Sequence, residues 1–418
     1  MSTGGQRRSV VVTGMGLLSP LGGQEGELLQ ALRSGASGVT YMPNQAWHEL
    51  PTHHMGVVQP SFWSDRWIDP ALSQAPLSLR ALSYVTCQAM EQSGLSIDSL
   101  PYCPEEMGCI IGLDYVRFDL LKNLPFLRGE CRRLSDEFTL FPQSALPLLR
   151  ALYPFGGHHF FHLGACSASS QAIGEGMRQI ASGRQRCMLV GGISFERSLY
   201  FLLELHQIGV LAKTVADPHL ISKPFDQHRY GITLGEGAVV LLLEEQEAAC
   251  KRGACPLAQV RGYGCALDGY SLSSPHKEGL GMKLAMRRAL QDAGCTPEQL
   301  DYINAHGTGT VPNDWKESEA IASLFTDRRQ IPPISSTKSM HGHLMATSGA
   351  LEAVICLLAL REQFIPPTIN YTTPDPLCSL DYTPNRARSA SLSLVLSNSF
   401  GMGGTNSTLI FAHPDAPP

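Results

Sequence analysis

Apolar runs of strand length alternate with amphipathic helical patterns along the chain, and this alternation constrains the fold more than any other feature of the sequence. Residues 169–182 and 280–293 have the periodicity of amphipathic helices, and a glycine follows each pattern. Four apolar runs have the length and composition of buried strands: residues 10–12, 107–111, 187–190 and 238–243. Strands and helices in alternation predict an α/β fold.

The second half of the sequence restarts the pattern of the first. The strand–glycine pattern of residues 11–16 returns at residues 259–264. The segment 166–175 has a counterpart at 342–352, where small residues again lead into a helix. This weak internal duplication predicts two similar halves with a boundary near residues 248–258.

The predicted boundary divides the chain into residues 1–255 and residues 256–418. A length of 418 residues would also permit two or three domains of typical size. The residues that we consider chemically important fall in both halves, with Cys166 in the first half and His306, Lys338 and His343 in the second.

Composition and charge exclude several classes of protein. The net charge of −5 argues against a nucleic-acid-binding protein, which would normally carry a basic stripe. No apolar run approaches the roughly 20 residues that a membrane helix needs, so we expect no membrane insertion. Twelve cysteines are scattered without a Cys-x-x-Cys pair, which argues against a disulfide scaffold or structural zinc and favours a reducing cytoplasm.

We also expect no bound metal. His158, His159 and His162 resemble a metal-binding cluster. However, no nearby carboxylate or cysteine completes a ligand set of usable spacing.

Cys166 differs from the other cysteines because it stands at the start of the helix predicted at 169–182, among small residues that leave room for a substrate. A helix N-terminus offers unpaired N–H groups and a positive dipole, and both are expected to lower the pKa of a thiol there. The alternative is that Cys166 is a buried, inert cysteine like most of the other eleven.

His306 and His343 each follow a predicted strand and stand in loops rich in glycine, threonine or serine. Side chains at the carboxyl ends of strands commonly form α/β active sites. A lone histidine is more often structural, but two of them together with a cysteine at a helix start indicate a thiol nucleophile with imidazole partners. Such a set is typical of acyl-transfer chemistry.

With these residues in place, the chain resembles the β-ketoacyl-acyl-carrier-protein synthases of the elongating type, the Cys-His-His condensing enzymes of the thiolase superfamily. The resemblance covers nearly the whole chain and includes five segments in the family's order: residues 11–16, 223–226, 229–231, 235–238 and 397–406. It implies a thiolase-type duplicated five-layer αβαβα sandwich, which agrees with the internal duplication.

The resemblance also implies a reaction, the decarboxylative Claisen condensation of an acyl group with malonyl-carrier. Cys166 matches the nucleophile that accepts the acyl group. His306 and His343 match the histidines that donate hydrogen bonds to the thioester oxygen of the malonyl-derived enolate. The backbone N–H groups of Cys166 and Met402 match the oxyanion hole of the tetrahedral intermediate.

Further residues take roles from the family by position. Lys338 matches a lysine near the histidines that pairs with a glutamate, here Glu352, and its role is either chemical or purely structural. Thr308 and Thr310 match the threonines that bind the pantetheine arm. No diffusible cofactor is implied, because the phosphopantetheine arrives on the acyl carrier protein. Members of the family are usually dimers, so we expect a homodimer, or a heterodimer with a similar chain.

The chain departs from the family at the acyl pocket and at the carrier-docking surface. Met402 replaces the family's gating phenylalanine next to Phe400, and Tyr115 stands where a smaller residue usually forms the tunnel floor. The region 66–90, which is usually basic in the family, holds only Arg66 and Arg80. Arg132 and Arg133 do match a basic pair that docks the acidic carrier. We therefore expect a shortened or redirected acyl pocket and a specialised polyene-type or polyketide-type pathway rather than bulk fatty-acid synthesis.

Three other types of protein are alternatives to an elongating condensing enzyme. A thiolase would need a second catalytic cysteine in its final glycine-rich loop, and residues 397–406 contain none. A starter-unit enzyme of the Cys-His-Asn type would have asparagine in place of His343. The third alternative is one subunit of a heterodimeric condensing enzyme, active or chain-length-shaping, that needs a similar partner chain.

Overall fold

The structure of the protein is a computed structural model. It describes residues 7–42, 52–73, 75–114, 128–130 and 145–416.

Ten of the described strands form one mixed sheet whose order repeats as a mirror image about its centre. The strands of the first half are β1 (Val10–Leu18), β4 (Met107–Leu113), β5 (His159–His162), β6 (Cys187–Ser194) and β8 (Gly237–Glu245). The strands of the second half are β9 (Ala258–Leu267), β10 (Tyr302–Asn304), β11 (Ile334–Ser335), β14 (Leu394–Gly401) and β15 (Thr405–Ala412). The order is β5-β4-β6-β8-β1 followed by β9-β15-β14-β10-β11.

The two halves of the sheet meet where β1 and β9 pair antiparallel, through Val11 with Gln259 and Val12 with Ala258. Two small sheets complete the described strands: β2 (Val39–Tyr41), β3 (His54–Gly56) and β7 (Leu234–Gly235) in one, and β12 (Phe364–Ile365) and β13 (Arg388–Ser389) in the other.

Helices connect the strands and cover the sheets, and short three-ten turns lie between many of them. The α-helices of the described residues are α1 (Glu25–Ser34), α2 (Leu77–Ser93), α3 (Ala145–Leu152), α4 (Ala168–Ala181), α5 (Leu199–Ile208), α6 (Gln246–Lys251), α7 (Leu280–Ala293), α8 (Val311–Ala322), α9 (Lys338–His341) and α10 (Ser348–Glu362). Helix α7 ends at Gly294, whose left-handed backbone (φ of 67°) is the conformation that glycine adopts without strain.

The helices α4 and α10 form the middle layer of the molecule. They pack against each other, and each also contacts strands from both halves, such as β6 and β15. Every residue of α10 from Ser348 to Leu360 is buried, as expected for a helix enclosed on all sides. Helix α2 covers the outer face of the first half and α7 covers that of the second, with α8 packed against α7. The predicted five-layer αβαβα sandwich is confirmed.

The sequence pattern located these elements well but predicted the strands too short; β6, for example, was predicted at residues 187–190 and ends at Ser194. The helices predicted at 169–182 and 280–293 are α4 and α7, and all four predicted strands are present. Strand β1, predicted only at residues 10–12, continues to Leu18. The predicted division at residue 255 stays a prediction; β9 begins at Ala258.

Two features of the described residues relate to membrane insertion and metal binding. None of the helices in the described part of the chain is long and apolar enough to cross a membrane. Within the same residues, histidine, cysteine and acidic side chains form no group of three or more that could hold a metal ion.

We expect the substitution Gly174→Ala in α4 to destabilise the sandwich. A Cβ at Gly174 would overlap the ring of Tyr263 in β9, and Arg178 lies 4.5 Å from the centre of that ring on the same helix. Overpacking of this kind costs about 1–3 kcal/mol of unfolding free energy, measured by urea titration. Gly26→Ala in α1 is the matched control because a Cβ there meets nothing within 4 Å. Equal unfolding midpoints for both variants would contradict the contact between the layers.

Candidate active site

Cys166 lies at the centre of a tight turn that leads directly into α4. The turn spans Ala165–Ser167 and is three-ten helical, and Ala165 adopts a left-handed backbone with φ of 48°. The Cys166 side chain is only 2% exposed. The end of β14 lies against this turn, since a Cβ at Gly401 would be 3.3 Å from the backbone nitrogen of Cys166.

The predicted lowering of the pKa of Cys166 is wrong. Complete burial raises the pKa of the thiol to about 11, because the thiolate loses its hydration, and the negative charge of Asp114 acts in the same direction. Hydrogen bonds from the backbone N–H groups of Met402 and Cys166, and the positive charge of Lys338, only partly offset these effects. The free site therefore holds a neutral thiol at physiological pH.

His306 lies in a loop after β10, and two buried carboxylates bind the backbone N–H groups of this loop. The backbone N–H groups of His306 and Gly307 each donate to the carboxylate of Glu317 at 2.8 Å. The N–H of Thr308 donates to Asp314 at 3.0 Å, and Asp314 also forms an ion pair with buried Arg229. These contacts hold the backbone of the loop and so the position from which the His306 side chain projects.

Sequence reasoning missed Asp314 and Glu317. Both are fully buried on α8, three residues apart on one face, directly after the loop that they hold. Burial raises the pKa of Glu317 to about 7, against the hydrogen bonds that it accepts from Gly307 and His306. The available signal was a pair of acidic residues one turn apart immediately after the Gly-Thr-Gly-Thr segment.

The environment of His343 defines which ring nitrogen carries the proton. The backbone N–H of Met345 donates to Nδ1 of His343 at 3.0 Å, so Nδ1 acts as an acceptor. A neutral imidazole with an accepting Nδ1 carries its proton on Nε2. Nε2 is buried and has no hydrogen-bond partner among the described residues. This N–H is therefore available to a substrate oxygen.

Both histidines are neutral in this site. Burial, together with the nearby charge of Lys338, holds the pKa values of His306 and His343 well below the ordinary value for histidine. Their ring centres are 5.3 Å apart and the ring planes are nearly perpendicular, at 85°. Two neutral imidazoles at this spacing can both donate hydrogen bonds to one oxygen without the repulsion of two cations.

Lys338 and Glu352 form a buried ion pair behind the histidines. Each side chain is 1% exposed, and Nζ of Lys338 contacts Oε1 of Glu352. Lys338 begins α9 and Glu352 is on α10, so the pair also ties these helices together. Burial raises the pKa of Glu352 to about 7, and the charge of Lys338 opposes that shift.

A single cavity brings most of the predicted site residues together. Its walls include Cys166, His306, His343, Thr308, Thr310, Phe400 and Met402. The hydroxyl oxygens of Thr308 and Thr310 are 2.9 Å apart at this wall, and Phe400 packs edge-on against His306 with ring centres 5.9 Å apart. Lys338 and Glu352 do not line this cavity. Tyr115, Arg132 and Arg133 lie outside the described residues.

Comparison with known families identifies the family of the chain. The family described as "Beta-ketoacyl synthase, N-terminal domain" matches residues 7–249, and "Beta-ketoacyl synthase, C-terminal domain" matches residues 257–372. The chain belongs to the β-ketoacyl synthase family. The predicted enzyme class, a 3-oxoacyl-[acyl-carrier-protein] synthase, is confirmed.

Individual proteins resemble the chain over nearly its full length. The 3-oxoacyl-[acyl-carrier-protein] synthase 2 of Coxiella burnetii is 35% identical and covers 97% of this chain and 99% of its own. Nodulation protein E of Rhizobium leguminosarum bv. trifolii is 36% identical with the same coverage. The ishigamide ketosynthase/chain length factor is a structural neighbour with a TM-score of 0.86 and 32% identity, over 97% of this chain and 99% of that one.

We expect alkylation of Cys166 by iodoacetamide to be slow at neutral pH, because the pKa of its thiol is about 11. The thiolate is the reacting form, so the rate is expected to rise about tenfold per pH unit below that pKa. Intact mass spectrometry of the wild type and of Cys166→Ala, which reports the other cysteines, measures the rate. An alkylation rate that has already reached its plateau at pH 8 would mean that the pKa of Cys166 is below 8. The helix N-terminus would then lower the pKa, as the sequence predicted.

Glu317→Ala is expected to impair the His306 loop. The variant leaves the N–H groups of His306 and Gly307 without their acceptor in the interior, at about 1–3 kcal/mol for each group. We expect the unfolding temperature to fall and condensation to slow by at least about tenfold. Glu319→Ala is the control, since Glu319 is on the same helix with a side chain 45% exposed. Wild-type activity in Glu317→Ala would show that the carboxylate does not position the loop.

Proposed function

We propose that this β-ketoacyl synthase condenses an acyl group, held as a thioester on Cys166, with the malonyl group of a malonyl-carrier protein. The observation that carries the proposal is the cavity in which the Cys166 thiol meets two neutral histidines. A thiol accepts an acyl group, and neutral N–H donors stabilise an enolate oxygen. Few reactions require both in one cavity.

In the first step, the sulfur of Cys166 attacks the carbonyl carbon of an acyl-pantetheine thioester. The tetrahedral oxyanion accepts hydrogen bonds from the backbone N–H groups of Cys166 and Met402, which already converge on the sulfur. The bond between the carbonyl carbon and the pantetheine sulfur breaks, and the proton of the Cys166 thiol passes to the departing pantetheine thiolate. The raised pKa of Cys166 favours this coupled transfer over a free thiolate.

In the second step, the malonyl group loses carbon dioxide. Its carbon–carbon bond breaks, and the electron pair forms an enolate whose oxygen accepts hydrogen bonds from His306 and His343. Preorganised donors of this kind contribute about 3–4 kcal/mol each. The enolate carbon then attacks the acyl carbonyl on Cys166, and the bond between that carbon and the sulfur breaks. The departing Cys166 thiolate takes up a proton from solvent, which replaces the one that left with the first pantetheine.

Thr308 and Thr310 lie at the wall of the cavity, where their hydroxyl groups can bind the amide groups of a pantetheine arm. We propose an acyl carrier protein as the partner that presents this arm, and no further cofactor. Among the structural neighbours is a type II polyketide synthase acyl-carrier protein in complex with its ketosynthase, with a TM-score of 0.86 and 27% identity. That complex supports the proposed partner.

We place the enzyme in a specialised polyene-type or polyketide-type pathway in the cytoplasm. Two findings support this pathway. The chain is similar to nodulation protein E and to the ishigamide ketosynthase/chain length factor. In addition, Met402, in the turn after β14, replaces the family's gating phenylalanine. The described cysteines are free thiols, which supports a reducing compartment. A heterodimer is the second candidate assembly, because one neighbour is a ketosynthase in complex with its chain length factor. Cys166, His306 and His343 would make this chain the active half.

Intact mass spectrometry of acyl transfer tests the reaction. We expect a panel of acyl-carriers to add one acyl group to the wild type and none to Cys166→Ala, and malonyl-carrier to discharge it as a β-ketoacyl product. The chain lengths that load report the pocket. Saturated long chains that load as well as short ones would contradict a shortened pocket. Loading that appears only after a similar chain is co-purified would favour the heterodimer over the homodimer.

A further inference from the structure

Ser348 lies directly beside His343. It is the first residue of α10, its side chain is fully buried, and its Oγ is 2.8 Å from Nδ1 of His343. The proposed function gives this hydroxyl no role. The alternative explanation is that Ser348 only helps to begin the helix, as serine often does at helix starts.

The internal duplication argues against a role in helix initiation. In the first half the turn Ala165–Ser167 leads into α4, and in the second half the turn Met345–Thr347 leads into α10. Both turns begin with a left-handed residue, at φ of 48° and 47°. The next helices begin with Ala168 (φ −57°, ψ −50°) and Ser348 (φ −51°, ψ −49°). The same backbone forms with alanine, so the hydroxyl of Ser348 is not needed for it.

The chemistry of Nδ1 defines what the hydroxyl does. The backbone N–H of Met345 can only donate, so Nδ1 of His343 is an acceptor. The Ser348 hydroxyl then donates to the same nitrogen, because two acceptors cannot share a hydrogen bond. The two donors share the single in-plane lone pair of Nδ1, so together they oppose rotation of the ring and oppose a proton on Nδ1. They keep the proton on Nε2.

We propose that Ser348 is a positioning residue, which holds the ring of His343 in the orientation and tautomer that present Nε2–H to the malonyl thioester oxygen. The proposal rests on the condensing function only in its last part. The hydrogen bond and the tautomer are properties of the unliganded protein and are measurable without any substrate.

The first experiment records nitrogen-15 NMR of the full chain labelled at histidine, with His343→Asn to assign the resonances. In the wild type we expect His343 in the Nε2–H tautomer, with an Nδ1 shift that reports a strong acceptor. Ser348→Ala is expected to move this Nδ1 resonance toward the value of a weakly bonded imidazole. Ser348→Thr keeps the hydroxyl and is expected to leave it near the wild-type position. An unchanged resonance in Ser348→Ala would overturn the proposal.

The second experiment separates the two half-reactions. Acyl loading of Cys166 does not use His343 in the proposed scheme, so we expect Ser348→Ala to load at the wild-type rate. Decarboxylation of malonyl-carrier is expected to slow by about three- to tenfold, the effect of one neutral hydrogen bond. Ser348→Thr should recover most of this loss. Equal loss in both half-reactions would indicate general damage to the site and would overturn the positioning role.

Ser170→Ala is the matched control. Ser170 is a buried serine in α4, and its Oγ is 2.8 Å from Oγ of Ser407, outside the cavity. We expect this variant to change neither the His343 resonance nor the decarboxylation rate. If the wild type carries out no condensation at all, the proposed function fails, while the NMR comparison still decides the role of Ser348.

Discussion

The close contact between α4 and α10 is the constraint on which the rest of the structure depends. The two helices approach so closely that a Cβ at Gly349 would lie 2.7 Å from the Cβ of Ser170, and the N–H of Ala350 donates to Oγ of Ser169 at 3.0 Å. Helix α4 follows the turn that contains Cys166, and the turn before α10 follows His343 closely in the chain. Contact between the helices therefore brings the sulfur of the first half to the histidines of the second. Without it, neither half contains a complete site.

Charge inside this contact is arranged so that the imidazoles stay neutral. Lys338 is buried with Glu352, and the ammonium group keeps protons away from both histidines. The carboxylates of α8 bind backbone N–H groups instead of the rings, so they orient His306 without raising its basicity. The site thus combines a neutral thiol with neutral N–H donors. During the proposed reaction negative charge develops on the reacting oxygens, where the donors are already in place.

The sequence was sufficient for the fold class and the family, because periodicity and local motifs carry that information. The three residues that it singled out, Cys166, His306 and His343, line one cavity. It was insufficient where tertiary packing decides. In the sequence, Gly14 and Gly16 indicate the end of a strand. In the structure, β1 continues through both glycines, because their lack of a side chain lets the strand pack directly against backbone carbonyls of α2. The pKa of Cys166 follows burial rather than the local helix start. In the sequence, Asp314 and Glu317 resemble ordinary surface carboxylates. Only the structure shows that they are buried and bind the His306 loop.

The position equivalent to Cys166 in the second half is Ala346, at the centre of the turn Met345–Thr347. Among the described residues, the duplicated scaffold therefore presents a sulfur at one of its two equivalent turns, and that sulfur lines the cavity. If an acyl-carrier and malonyl-carrier are the substrates, as proposed, the first carrier must depart and leave the sulfur acylated before the second can react, which is double-displacement kinetics. Malonyl-carrier that bound before acylation would then block the empty sulfur, and the ratio of the two carriers, as well as their amounts, would set the flux.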